Sequence, residues 1–146
     1  MQLHIKWETG NMTINCEAFF PATQNKLNVL MKSIDLDWEH KDEILHQMLQ
    51  FLTDLEQEAE EKKQKIKHQF GNEFQKMKDL ERMISSCKHP NGVPLSKVEV
   101  KDAKAELKEQ KKLVHDLEQS FKRYSKTAQK AKVNAQIVIQ KGDLKC

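Results

Sequence analysis

The chain has few of the residues that interrupt helices, cross-link chains or enter membranes. Its 146 residues include four glycines, three prolines and three cysteines, and only 6% are aromatic. The cysteines are far apart and form no CxxC pair, which argues against a disulfide framework. No run approaches the roughly 18 apolar residues of a membrane-spanning helix, and residues 1–20 lack a basic segment followed by an apolar one. We therefore expect a cytoplasmic protein with no membrane contact.

Charged residues are abundant, at 32% of the chain, with a formal net charge of +3. The mean hydropathy of −0.78 is typical of one domain with a small core and a large surface. Acidic residues outnumber basic ones before Lys97, and the reverse holds after it. The sequence contains no glycine-rich phosphate loop, nucleophile elbow or HExxH motif. We expect no enzymatic activity and no cofactor.

The strongest pattern lies between residues 98 and 132. Alternate steps of three and four residues from Val100 reach mostly apolar or aromatic side chains, which is a heptad seam that needs one partner helix. Residues 38–86 carry a second seam, and the turn-forming run from His89 to Pro94 separates the two. Ser96 and Glu99 form a capping box that starts the second helix. Residues 38–132 are thus predicted to form an antiparallel two-helix coiled-coil hairpin with a tip loop at 87–96.

The turn also predicts a register for the two helices, in which facing residues have numbers that sum to about 184. Met77 then faces Leu107. Glu73 faces Gln110, where a hydrogen bond would satisfy both polar groups. Acidic residues between positions 54 and 61 fall beside the basic end of the second helix, so we expect ion pairs between the helices there.

The two ends of the chain predict a small head at 1–37 and a return to it at 133–146. Residues 3–18 alternate like a β-hairpin with a turn at Glu8–Asn11, and Pro21 starts a short helix with one apolar face, after which Asp37 is expected to cap the next helix. Residues 133–140 also alternate and favour a third strand beside the hairpin. The alternative is that the heptad continues through Ala135 and Val138. The predicted fold class is α+β, mostly α.

Apolar residues away from the seam, together with the tip, form the candidate partner-binding surface. Exposed apolar side chains usually indicate another chain. We expect a large protein or ribonucleoprotein partner, while a homodimer or a broader seam would also explain them. The candidate partner-binding residues are Phe74, Leu113, Met83, Lys88, His89, Val93 and Leu95.

A basic stripe near the end of the second helix is the alternative site, because basic helix faces bind nucleic acid. No acid occurs between Gln119 and Gly142. The stripe consists of Lys122, Arg123, Lys126, Lys130 and Lys132. Two zinc sites are conceivable, one at the tip with Cys87 and His89 and one in the head with His4, Cys16, His40 and Cys146. We expect no metal, since Cys16 alternates with core residues and zinc normally needs four ligands.

The opening of the chain carries a family resemblance. From Ile5-Lys6-Trp7 through Phe20-Pro21-Ala22-Thr23 to Lys26-Leu27, it resembles the start of small uncharacterised proteins carried by phages and mobile elements of Gram-positive bacteria. The resemblance covers about the first fifth of the chain. It implies a counter-defence inhibitor such as an anti-CRISPR protein, which would act in the host cytoplasm by occupying the surface of a nucleic-acid enzyme. It implies no particular binding residues.

Overall fold

The computed structural model describes residues 2–7 and 10–142, and only the backbone of residues 5–7, 10 and 11. This part of the chain is mostly helical, with one two-stranded antiparallel sheet and a pair of long helices. Its elements are β1 (Gln2–Trp7), β2 (Gly10–Asn15), α1 (Pro21–Leu36), a 3-10 turn (Trp38–His40), α2 (Lys41–Ser86) and α3 (Lys97–Lys141).

The predicted β-hairpin is confirmed. Leu3 pairs with Ile14 and Trp7 with Gly10 in an antiparallel register. Leu3, Met12 and Ile14 are buried, as expected when alternate residues share one face of a strand. Glu8 and Thr9, in the expected turn, lie outside the described residues.

The short helix is also confirmed, and it buries Leu27, Met31 and Ile34 along one face. The expected cap at Asp37 is wrong, because this side chain makes no capping hydrogen bond to the next helical turn. Its carboxylate instead contacts His40, whose Nδ1 lies 2.9 Å from both oxygens. A hydrogen bond from the His40 imidazole N–H to this carboxylate thus replaces the expected bond from a backbone N–H.

The prediction of a third strand is wrong, since residues 133–140 belong to α3, which continues to Lys141. Ala131, Ala135 and Val138 are buried at helical spacing, so the apolar residues reach the core without leaving the helix. The side chain of Asn134, instead of a third strand, forms hydrogen bonds with the backbone of β2. Its Nδ2 donates to the Asn15 carbonyl oxygen at 2.8 Å, and its Oδ1 accepts a 3.4 Å hydrogen bond from the Asn15 N–H.

The chain divides into two compact units, and both long helices contribute to each. Unit 1 comprises residues 1–62 and 123–146, and unit 2 comprises residues 63–122. The core of unit 1 contains buried side chains from both strands and all three helices, including Ile14, Leu27, Leu45, Met48 and Val138. Its residues come from distant parts of the sequence, so this unit depends on tertiary packing.

In unit 2, α2 and α3 meet at the predicted polar pair. Gln110 Nε2 donates to a Glu73 carboxylate oxygen at 2.7 Å and to the Glu73 carbonyl oxygen at 2.8 Å. This confirms the predicted hydrogen bond. The bond from Gln110 is the main reason that the pKa of Glu73 lies below its ordinary value. Met77, Leu80, Val114 and others on the two seams are buried nearby.

The loop between α2 and α3 ends in the predicted capping box. Glu99 N donates to Ser96 Oγ at 3.1 Å, and Ser96 N donates to Glu99 Oε1 at 3.2 Å. Gly92 has a φ of 86°, which favours glycine, and Lys88 forms a bridge with Pro94. His89 Nε2 lies 2.5 Å from Glu99 Oε2, so the loop is attached to the first turn of α3.

Candidate functional site

Unit 2 carries an aromatic surface, by which we mean Phe70, Phe74 and Phe121. The rings of Phe70 and Phe74 are stacked, with centroids 5.6 Å apart and planes inclined by 14°. Phe74 is 38% exposed. Beside it, Phe70 and Phe121 line a depression of about 270 Å³ together with Lys67 and Glu118. Three of the chain's six phenylalanines therefore share one region of the molecular surface.

Lysines cover two of these rings. Lys78 Nζ lies 5.2 Å from the centroid of Phe74, and Lys63 Nζ lies 5.5 Å from that of Phe121. Contacts of this kind stabilise by about 0.5–1 kcal/mol at exposed sites. The aromatic surface is thus apolar at its centre, and lysines predominate at its edge, where Glu118 also lies and Lys78 pairs with Glu81 at 3.5 Å.

The other predicted binding residues of unit 2 differ in exposure. Leu113 is 38% exposed and Val93 is 52% exposed, whereas Met83 and Leu95 are partly buried. Leu113 does not line the depression at Phe70. The structure therefore places only Phe74 of the predicted set at the aromatic surface.

At the tip, Met83, Lys88 and His89 line a depression of about 520 Å³, and Val93 and Leu95 do not. Asp79, Arg82 and Ser86 also line it, so its walls are more polar than those of the depression at Phe70 and Phe121. Such walls are less suited to anchoring an apolar side chain than the depression at Phe70 and Phe121 is. The structure thus separates the predicted residues into two surfaces within unit 2.

Unit 1 contains a smaller cleft of about 140 Å³ at the start of α1, which we call the Phe20–Tyr124 cleft. Phe20, Tyr124, Lys62 and Thr127 are among its lining residues. The Arg123 guanidinium lies 4.1 Å from the Phe20 ring centroid, and Lys62 Nζ lies 5.3 Å from that of Tyr124. Phe20 is 42% exposed.

Hydrogen bonds hold the wall of this cleft in place. Gln24 Nε2 donates to the carbonyl oxygens of Cys16 and Phe19 at 3.0 and 2.9 Å. Thr127 Oγ1 lies 3.2 Å from the Ala18 carbonyl oxygen, which attaches the same segment to α3. These bonds attach the segment before Phe20 to both α1 and α3. Sequence reasoning missed it because no local pattern places Phe20 beside Tyr124.

The basic stripe forms fewer ion pairs than expected. Lys122 pairs with Glu118 at 3.5 Å, and Lys62 with Glu58 at 3.3 Å, each within one helix. Within the described residues Lys126, Lys130 and Lys132 form no ion pair, so the expected pairing between helices is wrong for Lys126 and Lys130. Arg123 is instead engaged by the Phe20 ring.

The candidate zinc ligands have other contacts. His4 Nδ1 lies 2.6 Å from Thr13 Oγ1, and the hydrogen bond to Asp37 raises the pKa of His40. Burial raises the pKa of the Cys16 thiol, and Cys146 lies outside the described residues. Among residues 2–7 and 10–142, no group of three or more His, Cys, Asp or Glu side chains is placed to hold a metal.

None of the helices in the described part of the chain is both long and apolar enough to cross a membrane. In comparisons with known proteins, no family model, no curated protein and no solved structure matches the chain. A function is therefore inferred from the chemistry of the aromatic surface and the Phe20–Tyr124 cleft.

Proposed function

We propose that this protein is a non-catalytic binding module that attaches to a protein partner through the aromatic surface of unit 2. The observation that carries the proposal is the stacked Phe70–Phe74 pair, with Phe74 exposed beside a largely apolar depression. Full burial of a phenylalanine side chain is worth about 1.5–3 kcal/mol, and the 38% of Phe74 that is still exposed would supply part of this. Aromatic side chains also lead the contacts that dominate protein interfaces.

The basic edge indicates the chemistry of the partner. Lys63, Lys67 and Lys78 surround the rings, and Lys63 and Lys78 stand over Phe121 and Phe74. A docking segment must displace these ammonium groups from the ring faces. Carboxylates that flank an apolar anchor would pair with Lys67 and would compete with Glu81 for Lys78, which Glu81 contacts at 3.5 Å. We therefore expect an acidic partner surface.

The resemblance of the first fifth of the chain to phage and mobile-element proteins supports an inhibitor or adaptor as the biological role. On this proposal the protein occupies the surface of a nucleic-acid enzyme, as an anti-CRISPR protein does. Its partner is then a large protein or ribonucleoprotein in the host cytoplasm.

The test is capture from the native host with the tagged protein and single variants. Phe74→Glu places a carboxylate on the aromatic surface, and Val98→Glu makes the same type of change at a side chain that is 68% exposed elsewhere in unit 2. We expect the partner to be retained by Val98→Glu and lost by Phe74→Glu at unchanged helicity. The captured enzyme, once purified, should be inhibited by wild-type protein and not by Phe74→Glu.

Two outcomes would overturn the proposal. Loss of the partner on His89→Ala but not on Phe74→Glu would move the binding site to the tip. A wild-type dimer that Phe74→Glu or Leu113→Glu converts to a monomer, measured by sedimentation, would assign the exposed apolar residues to a homodimeric scaffold.

We further propose that α2 and α3 pack as an antiparallel coiled-coil hairpin. The Glu73–Gln110 hydrogen bond and the Lys63–Phe121 contact support the register. In a background with serine at the native cysteines, Met77→Cys with Leu107→Cys should cross-link within a monomer under mild oxidation. Met77→Cys with Val114→Cys, displaced by about two turns, should not, and equal cross-linking would contradict the register.

A further inference from the structure

Unit 1 offers a second site that involves none of the residues of the aromatic surface. We propose that the Phe20–Tyr124 cleft binds one base of a single-stranded nucleic acid, and that Arg123, Lys126 and Lys130 hold the neighbouring phosphates. This activity goes beyond protein binding. It would let the module contact the nucleic acid of a ribonucleoprotein as well as the protein.

The size of the cleft limits what can enter it. Its volume of about 140 Å³ is well below the roughly 300 Å³ at which sites for whole small molecules begin. It is close to the roughly 150 Å³ cavity that accepts one benzene ring. One six-membered ring therefore fits, while the sugar and phosphate attached to it must stay outside.

The walls of the cleft suit a planar ring. Phe20 and Tyr124 line the cleft, and each ring already contacts a cation, Arg123 at 4.1 Å and Lys62 at 5.3 Å. Phe20 remains 42% exposed, so a base stacks on the ring surface that these cations leave open. The hydrogen bonds from Gln24 and Thr127 fix the segment that carries Phe20, so little order is lost when a base stacks there. Stacking on aromatic side chains is how single strands are bound without sequence preference.

Basic residues of α3 that are close in sequence to Tyr124 and Thr127 suit a phosphate backbone. Arg123, Lys126 and Lys130 follow i, i+3, i+7 spacing and share one face of α3. Lys126 and Lys130 form no ion pair within the part of the chain that the structure describes. The Glu58 carboxylate at the cleft is neutralised by Lys62 at 3.3 Å. Cations without internal partners are available to release counterions from a nucleic acid.

A double-stranded nucleic acid does not meet these conditions, because its bases lie within the stack and cannot enter a cleft. An aromatic side chain of a protein fits the cleft by size. An aromatic side chain carries no phosphate for Lys126 and Lys130 to bind, however, whereas a single-stranded nucleic acid does. The observations therefore favour a single strand.

The experiment measures the fluorescence anisotropy of labelled 12-residue oligo(dT) and oligo(U) at several salt concentrations. Phe20→Leu and Tyr124→Leu remove a ring and keep an apolar side chain. We expect each to weaken binding at least five-fold, the lower limit for losing one stacked base. The double change Lys126→Gln and Lys130→Gln should make the negative slope of log affinity against log salt less steep by about 1.4.

Matched controls separate the cleft from general basicity and from the aromatic surface. Lys97→Gln with Lys101→Gln removes the same charge from exposed positions of α3 in unit 2, and should change affinity less than two-fold. Phe74→Leu removes an exposed phenylalanine of unit 2 and should leave oligonucleotide binding unchanged. A duplex of the same length should bind at least five-fold more weakly than either single strand.

A second measurement does not depend on the folding of any variant. Oligonucleotides with 5-iodouridine should cross-link on irradiation to Phe20 or Tyr124 of the wild-type chain, as mapped by mass spectrometry. Cross-links that lie only outside unit 1, or an equal loss of affinity in both double lysine variants, would overturn the proposal. So would the absence of binding at 50 mM salt, or the loss of a captured protein partner on Phe20→Leu. None of these results decides whether Phe74→Glu loses the protein partner, so the two proposals fail independently.

Discussion

The side-chain amide of Asn134 in α3 bonds both backbone groups of Asn15, the last residue of β2. Its Nδ2 donates to the carbonyl oxygen at 2.8 Å, and its Oδ1 lies 3.4 Å from the N–H. Asn134 is 1% exposed and lies 119 positions from Asn15 in the sequence. One buried side chain thus attaches the hairpin to the long helix, where a third strand would otherwise have to pair.

Asn134→Ala should lower the free energy of unfolding by about 1–3 kcal/mol, because the backbone groups of Asn15 lose their partner in a part-buried position. Urea unfolding followed by circular dichroism measures this change. Gln136→Ala, an exposed change two positions away, should alter stability by less than about 0.5 kcal/mol. Equal effects of the two changes would show that the amide does not stabilise the hairpin.

The Glu73–Gln110 bond should make stability depend on pH. Because the bond lowers the pKa of Glu73 below its ordinary 4.5, its contribution is present above pH 4.5 and is lost as the pH falls through the lowered value. The stability difference between wild type and Gln110→Leu should therefore be largest near neutral pH and shrink in acid. Gln119→Leu, at an exposed position, should show no such trend, and a constant difference for Gln110→Leu would contradict the assignment.

Ser96→Ala should destabilise the start of α3 by about 1 kcal/mol, since the serine oxygen accepts the Glu99 N–H. Faster amide exchange at Glu99 and a lower midpoint of urea unfolding are the measurable signs. Ser85→Ala, at an exposed position near the end of α2, serves as the control. If amide exchange at Glu99 is unchanged in Ser96→Ala, the capping box contributes nothing in solution.

The two cysteines that the structure describes should differ in reactivity. Cys87 is exposed, whereas Cys16 is buried and its thiol has a raised pKa. In a Cys146→Ser background, a thiol reagent should label Cys87 rapidly and reach Cys16 only after denaturation. Cys87→Ser in the same background should abolish the rapid phase. Rapid labelling of Cys16 in the folded protein would contradict its place in the core.

Sequence patterns within a few residues predicted an element correctly where they were compatible with only one secondary structure. Ser96 and Glu99 cap α3 because the bonds they exchange span three residues and need no other part of the chain. The hydrogen bond between Glu73 and Gln110 was predicted from the register that the turn after α2 and the heptad pattern of the two helices imply. Residues 133–140 were misassigned because a short apolar run satisfies both a two-residue and a helical period. Burial of Ala135 and Val138 in the core of unit 1 favours the helix.

In the candidate sites, too, some features were predicted from the sequence and others depend on the tertiary structure. Exposure of Phe74 followed from its position off the seam, but its stacking on Phe70 and the depression at Phe121 depend on two helices together. The register aligns opposite charges but does not decide whether their side chains meet. The sequence therefore did not show that Lys126 and Lys130 lack an ion pair among the residues that the structure describes.

The sequence by itself determined two long amphipathic helices, the turn that joins them, the hairpin and the cap of α3, since each depends on periodicity or on neighbours a few residues apart. Only the tertiary structure decided that α3 continues to Lys141, that Arg123 lies over Phe20, and that a cleft forms beside Tyr124. These features join residues about 100 positions apart, and their geometry is set by how the side chains of unit 1 fill a common core.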